Sequence, residues 1–428
     1  MSLRRVLIIT YYWPPSAGSG VQRWLKFAKY LPEYGWEPTI FTPENPDFEL
    51  QDPSLEKDIS PQLEVIKFPI WEPYGLFKKL KGNLKGDPAT ILEKKEKSLI
   101  DRLAIWLRAN LLIPDPRVFW VKPSVSFLED SMVKGHYQAI ITTGPPHSMH
   151  LIGLQLHEKT GIPWLADFRD PWSKWEFLDT LPMLSWVLKR HQTLESRVLA
   201  KASAITTISP TFQKDLKKLA NREVHLLTNG FDSDDFPTFS QNTGLKEKDL
   251  EIVYSGIIDA IRNPLPFLEA FKKAFEPSAF SVRFRFVGKV SSAVEQFVKN
   301  DNWLERHVEF IGYVSHQRVF EYYQAADILL LILTTTKNAQ GNIPGKLFEY
   351  LASGKTILGL GDPNGDAASL IHQAQAGKII EPNKQDEIVS FLKGYKSSDH
   401  ATDKSLINRF SRKNLSSQLA QILENIAP

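Results

Sequence analysis

The chain of 428 residues contains no cysteine, which excludes disulfides, thiolate zinc sites and thiol nucleophiles together. An excess of one charge is also missing. Lys and Arg number 52 against 49 Asp and Glu, a formal net charge of +3, so the basic surplus of a nucleic-acid binder is absent and no nucleic-acid partner is expected. Long hydrophobic runs are lacking as well: the most apolar block, Ile328 to Leu333, is strand-sized, against the roughly 18 to 20 residues that span a bilayer. The first residues carry Arg4 and Arg5 ahead of a short apolar run with no small-residue cleavage site behind it, which reads as a buried strand and not a leader. Together these absences fit a cytoplasmic protein. There is no fixed-period repeat and no low-complexity tract, and no set of divalent-cation ligands stands out, so no metal is expected.

What is present is the composition of a globular protein, 42% hydrophobic and 24% charged, too long for one ordinary core. Strand-like runs alternate with helix-like segments: RVLIIT, PTIFTP, LEVIKFP, AIITT, PWLADF, AITTIS and VHLLTNG, then EIVYSG, SVRFRFVG, VEFIGYV, DILLLIL, TILGLG and GKIIEP. That rhythm predicts an α/β fold of two doubly wound, Rossmann-like domains, each a mostly parallel sheet with helices on its faces. The expected division is a domain over 1–236, an acidic and turn-rich linker over 237–249, a second domain over 250–404, and a closing C-terminal helix over 405–428. From Gly75 to Lys97 seven lysines face three acids, and the helix-like LIDRLAIWLRANLLI follows, with Leu103, Trp106, Leu107 and Leu111 able to share a face. Residues 75–113 could rest on an anionic membrane surface. The plainer reading is a solvated lysine loop beside a helix whose apolar face is core.

In doubly wound sheets ligands bind beyond the carboxyl ends of the strands, and several unusual residues follow strands here. Gly18, Ser19 and Gly20 lie at the first strand-to-helix turn, where missing Cβ atoms let an anion approach backbone amides. His147 ends TTGPPH behind two prolines; it is either a site residue or an ordinary loop or helix-capping histidine. Arg169, Asp170 and Trp172 lie in DFRDPW, readable as a structural ion pair or as a site whose charges are costly to bury without a purpose. In the second half Gly256 opens a turn and Arg262 stands ahead of a helix, a surface arginine or a phosphate ligand. Lys346, Leu347 and Glu349 begin another helix behind Pro344 and Gly345. Lys346 and Glu349 share a face, as a surface salt bridge or as a lysine on a diphosphate and a carboxylate on a ribose.

The segment PGKLFEYLASGK followed by TILGLG resembles the donor-binding part of retaining family-4 glycosyltransferases of the GT-B fold, and so do PPSAGSGVQRW behind the first strand, TNGFD and VYSG. The pair TTGPPHS and WLADFRDPW is similar to a bacterial subgroup that builds cell-surface polysaccharides. The resemblance runs nearly end to end. It implies two Rossmann-like domains facing a central cleft and transfer of a sugar, with retention, from a nucleotide diphosphate sugar to a hydroxyl acceptor that is a glycan or lipid-linked intermediate. It implies no required cofactor and no metal, and a place in the cytoplasm or on the inner face of its membrane. It assigns Gly18, Ser19, Gly20, Gly256, Arg262, Lys346, Leu347 and Glu349 to the donor, His147 and Asp170 to the reacting sugar together with the catalytic cations Arg262 and Lys346, and Arg169 and Trp172 to the acceptor side. Two positions depart from the pattern: Gly341 stands where many members have the first of two acids, and Ile257 where many have an arginine. A nucleotide-sugar epimerase of the same fold and a non-catalytic sugar-nucleotide binder are the alternatives.

Overall fold

The computed structural model describes residues 3–46, 48, 51–73, 99–236, 250–259, 262–278, 281–396 and 402–428. The lysine-rich stretch 75–97 and the linker 237–249 lie outside these. The chain forms two compact units, residues 1–228 with 415–428, and residues 229–414.

Every run read as a strand becomes one. In the first unit β1 (Arg4–Ile9), β2 (Trp36–Pro43), β3 (Glu64–Phe68), β4 (Tyr137–Gly144), β5 (Trp164–Phe168), β6 (Ala204–Thr207) and β7 (His225–Leu226) pair in the order β3-β2-β1-β4-β5-β6-β7. In the second, β8 (Leu250–Ser255), β9 (Val282–Val287), β10 (Val308–Gly312), β11 (Ile328–Ile332), β12 (Thr356–Leu360) and β13 (Gly377–Ile380) pair in the order β10-β9-β8-β11-β12-β13. All neighbours are parallel. Central strands such as β11 and β12 are buried along their whole length, whereas the edge strand β3 is only partly covered. A sheet covered by helices on both faces requires this unbroken apolar type of strand.

Each sheet separates two apolar clusters. Trp24, Trp36, Trp120, Trp164 and Trp172 are all essentially inaccessible in the first unit, and burying a large side chain of this kind contributes about 1.5–3 kcal/mol. The closing segment is not one helix. It breaks between Lys404–Asn408 and Arg412–Ile426 because Phe231 donates to the Phe410 carbonyl and accepts from the Arg412 amide, pulling that backbone out of helical bonding. Ile407 joins the core of the second unit, while Leu415, Leu419 and Leu423 join that of the first.

The helix Leu99–Leu111 corrects a second expectation. Its buried side chains are the polar Asp101 and Asn110 with Ala109, while Leu103, Trp106 and Leu111 are 58%, 38% and 60% exposed. The apolar face is therefore not core. Asn110 explains the orientation: its amide donates to the Pro182 carbonyl and accepts from the Leu184 amide at 3.0 and 2.8 Å.

Candidate functional site

In both sheets the chain reverses its direction of strand addition once, between β1 and β4 and between β8 and β11. Two neighbouring strands there send their following loops to opposite sides, which opens a crevice at the carboxyl edge. The residues singled out in the sequence gather at these two places.

At the first switch point the loop after β1 ends in Gly18, which adopts φ +113°, a conformation that side chains disfavour. The helix Ser19–Tyr30 begins immediately after it. Its first bonds run from the Val21 and Gln22 amides to the Gly18 carbonyl. The end of the Arg169 side chain rests against Gly20, where a Cβ would lie 2.0 Å from the Arg169 Nη1.

Arg169 follows β5. Its amide donates to the Gly144 carbonyl at 3.0 Å and its Nη2 donates to the Pro145 carbonyl. His147, two residues further along that turn, is 5% exposed and immediately precedes the helix Ser148–Thr160. Its ring lies parallel to Trp172 at 4.8 Å. Neither ring nitrogen meets a partner in good hydrogen-bonding geometry, although the Pro171 carbonyl lies where it favours a proton. Burial, and then the charges of His150, Arg169 and His191, hold the ring well below the usual histidine range and keep it neutral. Asp170 follows Arg169, and burial pushes its carboxyl up while Arg169 pulls it down by less.

Trp172 is itself 1% exposed, with its indole N–H on His191 Nδ1 at 3.1 Å. It cannot present a face to an acceptor; it is a platform beneath His147. His150, on the next helical turn, is bound to the Thr142 hydroxyl at 2.8 Å, which also accepts from the Trp164 indole. Burial depresses His150 to about 3, so it remains neutral too.

The ion-pair reading of DFRDPW resolves unevenly. Asp167 is the structural partner, and its cation is Arg23, a residue given no role in the sequence reading. Both side chains are fully buried. Arg23 donates from Nε and Nη2 to the two Asp167 oxygens at 3.2 and 2.9 Å, and its remaining donors reach the Leu227 and Thr228 carbonyls. Thr143 and Thr206 complete the carboxylate. Arg169 makes no ion pair within the described residues.

At the second switch point β8 ends at Gly256, φ +120°, where a Cβ would stand 2.7 Å from the Lys346 Nζ. Lys346 lies in the first turn of the helix Gly345–Ser353. It does not pair with Glu349. Its ammonium donates to the Ser255 carbonyl and sits 4.2 Å from the centre of the Tyr254 ring. Burial and the Arg262 charge lower its pKa to about 7, against weaker support from Glu349 and Asp259.

Glu349, one turn on, is 8% exposed. His316 Nε2 lies 3.0 Å from one carboxylate oxygen and the Tyr323 hydroxyl donates to the other at 3.2 Å. Burial alone would raise the carboxyl, but His316 and Tyr323 outweigh it and hold it below the usual range. The Tyr323 hydroxyl also meets the Ser255 hydroxyl at 2.8 Å, and Ser255 meets Tyr350. This polar chain was not anticipated from sequence, because its members are scattered over three elements. Leu347 is fully buried in the core, and its amide donates to the Pro344 carbonyl, so it offers a ligand no free group. Arg262, part-exposed, is held by Asp259 at 2.6 Å. Gly341 closes a short 3-10 turn, and Ile257 is 45% exposed beside Gly256. No group of acidic or histidine residues suited to a metal occurs among the described residues.

Residues 250–393, most of the second unit, match the family model for glycosyl transferases group 1. No curated protein matches the chain by sequence. Among solved structures, HepE of Anabaena in complex with UDP and glucose is similar over 99% of this chain and 100% of its own, with a TM-score of 0.62 and 14% identity. A glycosyltransferase from Rickettsia africae aligns over 100% and 99% with TM-score 0.63 and 14% identity. Sucrose-phosphate synthase from Thermosynechococcus elongatus aligns over 99% and 95% with TM-score 0.60 and 15% identity. These likenesses establish the GT-B fold, with two Rossmann-like domains.

Proposed function

We propose that the protein is a glycosyltransferase that moves a sugar from a nucleotide diphosphate sugar to a hydroxyl acceptor with retention, in the synthesis of a cell-surface polysaccharide. The observation that carries this reading is the arrangement at the second switch point: Lys346 against Gly256, the first-turn amides of Gly345–Ser353, and Glu349 fixed between His316 and Tyr323. A cation and helix amides at one spot suit a diphosphate. A deprotonated, oriented carboxylate one turn away suits the two hydroxyls of a ribose. The family match over 250–393 and the UDP named with the Anabaena structure support the same assignment.

In this reading the anomeric carbon–oxygen bond breaks with its electron pair leaving to the diphosphate, where Lys346 and Arg262 stabilise the charge. Fixed cations do so without reorganising. The acceptor oxygen bonds to the same face of the sugar, and its proton passes to the departing phosphate oxygen. His147 and Asp170 of the first unit are assigned to the sugar; a neutral His147 serves as a hydrogen-bonding group, not as a charge. No cofactor or metal is needed. The acceptor is a glycan or lipid-linked intermediate, reached from the cytoplasmic face of the membrane.

The test is a thermal-shift titration with UDP, GDP, ADP and CMP on the native chain and on Glu349→Ala. Selective binding stabilises by mass action, about 2.7 kcal/mol at a hundredfold excess over Kd. Stabilisation by one nucleoside diphosphate, weakened in the variant, is expected. A folded sample indifferent to all four would overturn the donor assignment and bring forward the non-catalytic reading, which Gly341 in place of an acid favours.

A further inference from the structure

We propose that His150 is a positioning residue for His147: its Nε2–H faces the His147 Nδ1, fixes the proton of that ring on Nε2, and so makes His147 a hydrogen-bond donor, not a base, toward the sugar. The role toward the sugar rests on the glycosyl-transfer reading, whereas the positions of the protons rest on the first unit alone.

Each proton is fixed by the group before it. The Trp164 indole can only donate, and it donates to the Thr142 hydroxyl oxygen at 2.8 Å. Thr142 is fully buried and has one hydrogen of its own. The other polar atom that its hydroxyl meets among the described residues is His150 Nδ1, also at 2.8 Å. The hydroxyl therefore donates to that nitrogen, because the reverse direction would leave its hydrogen buried without an acceptor. The His150 ring is fully buried and neutral, so its single proton stands on Nε2.

That N–H is buried and forms no closed hydrogen bond. Gly144, at the end of β4, shows what it faces: a Cβ there would lie 2.6 Å from His150 Nε2 and 2.9 Å from His147 Nδ1. The two nitrogens thus converge over one backbone position, and the ring centroids are 5.7 Å apart. His147 Nδ1 is buried as well and has no other partner among the described residues. Protons on both nitrogens would bring two buried donors together with neither satisfied, whereas a lone pair on His147 Nδ1 answers the His150 N–H. The neutral His147 ring then carries its proton on Nε2. Trp172 holds the plane of this ring, and Phe168, stacked at 4.5 Å, holds that of His150. The Pro171 carbonyl favours a proton on His147 but meets it in poor geometry, which leaves the Nε2–H for a sugar oxygen. With Nδ1 engaged and Nε2 already protonated, His147 has no place for the acceptor's proton, which passes instead to the departing phosphate.

The experiment is a long-range proton–nitrogen correlation spectrum of the full chain carrying isotope-labelled histidine, in which protonated and unprotonated ring nitrogens resonate far apart; His147 and His150 are assigned from His147→Gln and His150→Gln. Both native rings are expected as neutral Nε2–H tautomers at about pH 7. In His150→Phe and in Thr142→Val the two His147 nitrogens should move toward a mixture of tautomers, a change that a merely structural role for His150 would not produce. His150→Gln, which keeps an N–H near the same place, should preserve the native His147 pattern. Thr142→Val is the smaller change and keeps the test informative where His150→Phe fails to fold. With the nucleotide sugar of whichever nucleoside diphosphate stabilises the chain, His150→Phe should lose about tenfold in kcat, the value of one positioned hydrogen bond, with KM within about twofold, and His150→Gln should recover most of it. A native His147 protonated on Nδ1 overturns the proposal, as does a His147 tautomer that both His150→Phe and Thr142→Val leave unchanged, or an undiminished kcat in His150→Phe. If no nucleotide sugar is turned over while the rings show these tautomers and respond to the variants, the glycosyl-transfer reading falls and the placement of the protons stands.

Discussion

Lys346 is the residue whose chemistry is most changed by its position. An ammonium with a pKa near 7 is only partly charged in neutral solution, whereas a bound diphosphate favours the charged form. Binding should therefore draw in a proton above about pH 7, and affinity for the nucleotide should fall by up to about tenfold for each further pH unit. Titration of the preferred nucleoside diphosphate near pH 8 in buffers of different ionisation enthalpy is expected to show uptake of about one proton, vanishing in Lys346→Gln; uptake unchanged in the variant would locate the titrating group elsewhere. The sign for stability is the reverse of a salt-bridged lysine. The unfolded lysine keeps its proton up to its ordinary pKa, so the buried charge is a cost below neutrality that is relieved as pH rises from about 7 toward 10.5. None of this is legible in the sequence. The motif identified Lys346 and Glu349 and put them on one helical face, leaving open a salt bridge between them or two separate ligand contacts. The structure separates them, because the Ser255 carbonyl and Tyr254 ring take the lysine while His316 and Tyr323 take the carboxylate. These four residues come from β8 and from the helix His316–Ala325, and no local spacing joins them to PGKLFEY.

At the scale of elements the sequence was far more informative, since parallel strands buried on both faces must be short, continuous apolar runs bounded by turns, and all thirteen announced themselves this way. Long-range polar ties do not. Arg23 and Asp167 join the helix Ser19–Tyr30 to β5, with Thr143 of β4, Thr206 of β6 and the chain leaving β7 in the same network. The helix that presents Gly20 is thus fixed to the strands that present His147 and Arg169. Replacing Arg23 by Met leaves a carboxylate buried in the sheet, a cost of about 3–5 kcal/mol, which lowers the melting temperature of the first unit by roughly 10 °C. Arg23→Met combined with Asp167→Leu should recover a large part of it, since a buried pair often contributes little beyond an apolar substitute of similar volume. Differential scanning calorimetry checks both, and a single-variant loss under about 2 °C would mean that the pair does not tie these elements. The same pair gives an acid dependence. Burial raises the Asp167 carboxyl, but Arg23 and Thr206 more than offset it, so its contribution is present above the ordinary aspartate range and is lost as pH falls through the depressed value.

Over the whole molecule the exposed apolar surface is distributed unevenly. Of the large hydrophobic side chains that reach solvent in the described residues, only Ile257 and Tyr313 belong to the second unit. In the first, Leu103, Trp106 and Leu111 of one helix are joined through Asn110 to the segment that carries Leu184, Trp186 and Leu188. Arg102, Lys189 and Arg190 are exposed among them. Tryptophan amid basic residues on an apolar face is the composition of a surface that rests at a bilayer interface, and the sequence carries seven lysines between Gly75 and Lys97 immediately before it. No helix in the described residues is long and apolar enough to cross a membrane. An almost neutral net charge of +3 makes the local patch decisive, because a long-range field from the whole chain would be weak and screened within about 8–10 Å. The expected behaviour is co-sedimentation with vesicles containing phosphatidylglycerol at low salt, reduced several-fold by physiological salt and by Trp106→Ser with Trp186→Ser, and weak on vesicles of phosphatidylcholine alone. If the native chain stays in the supernatant with anionic vesicles at low salt, the surface has another purpose. An acceptor delivered from the membrane then loses its support.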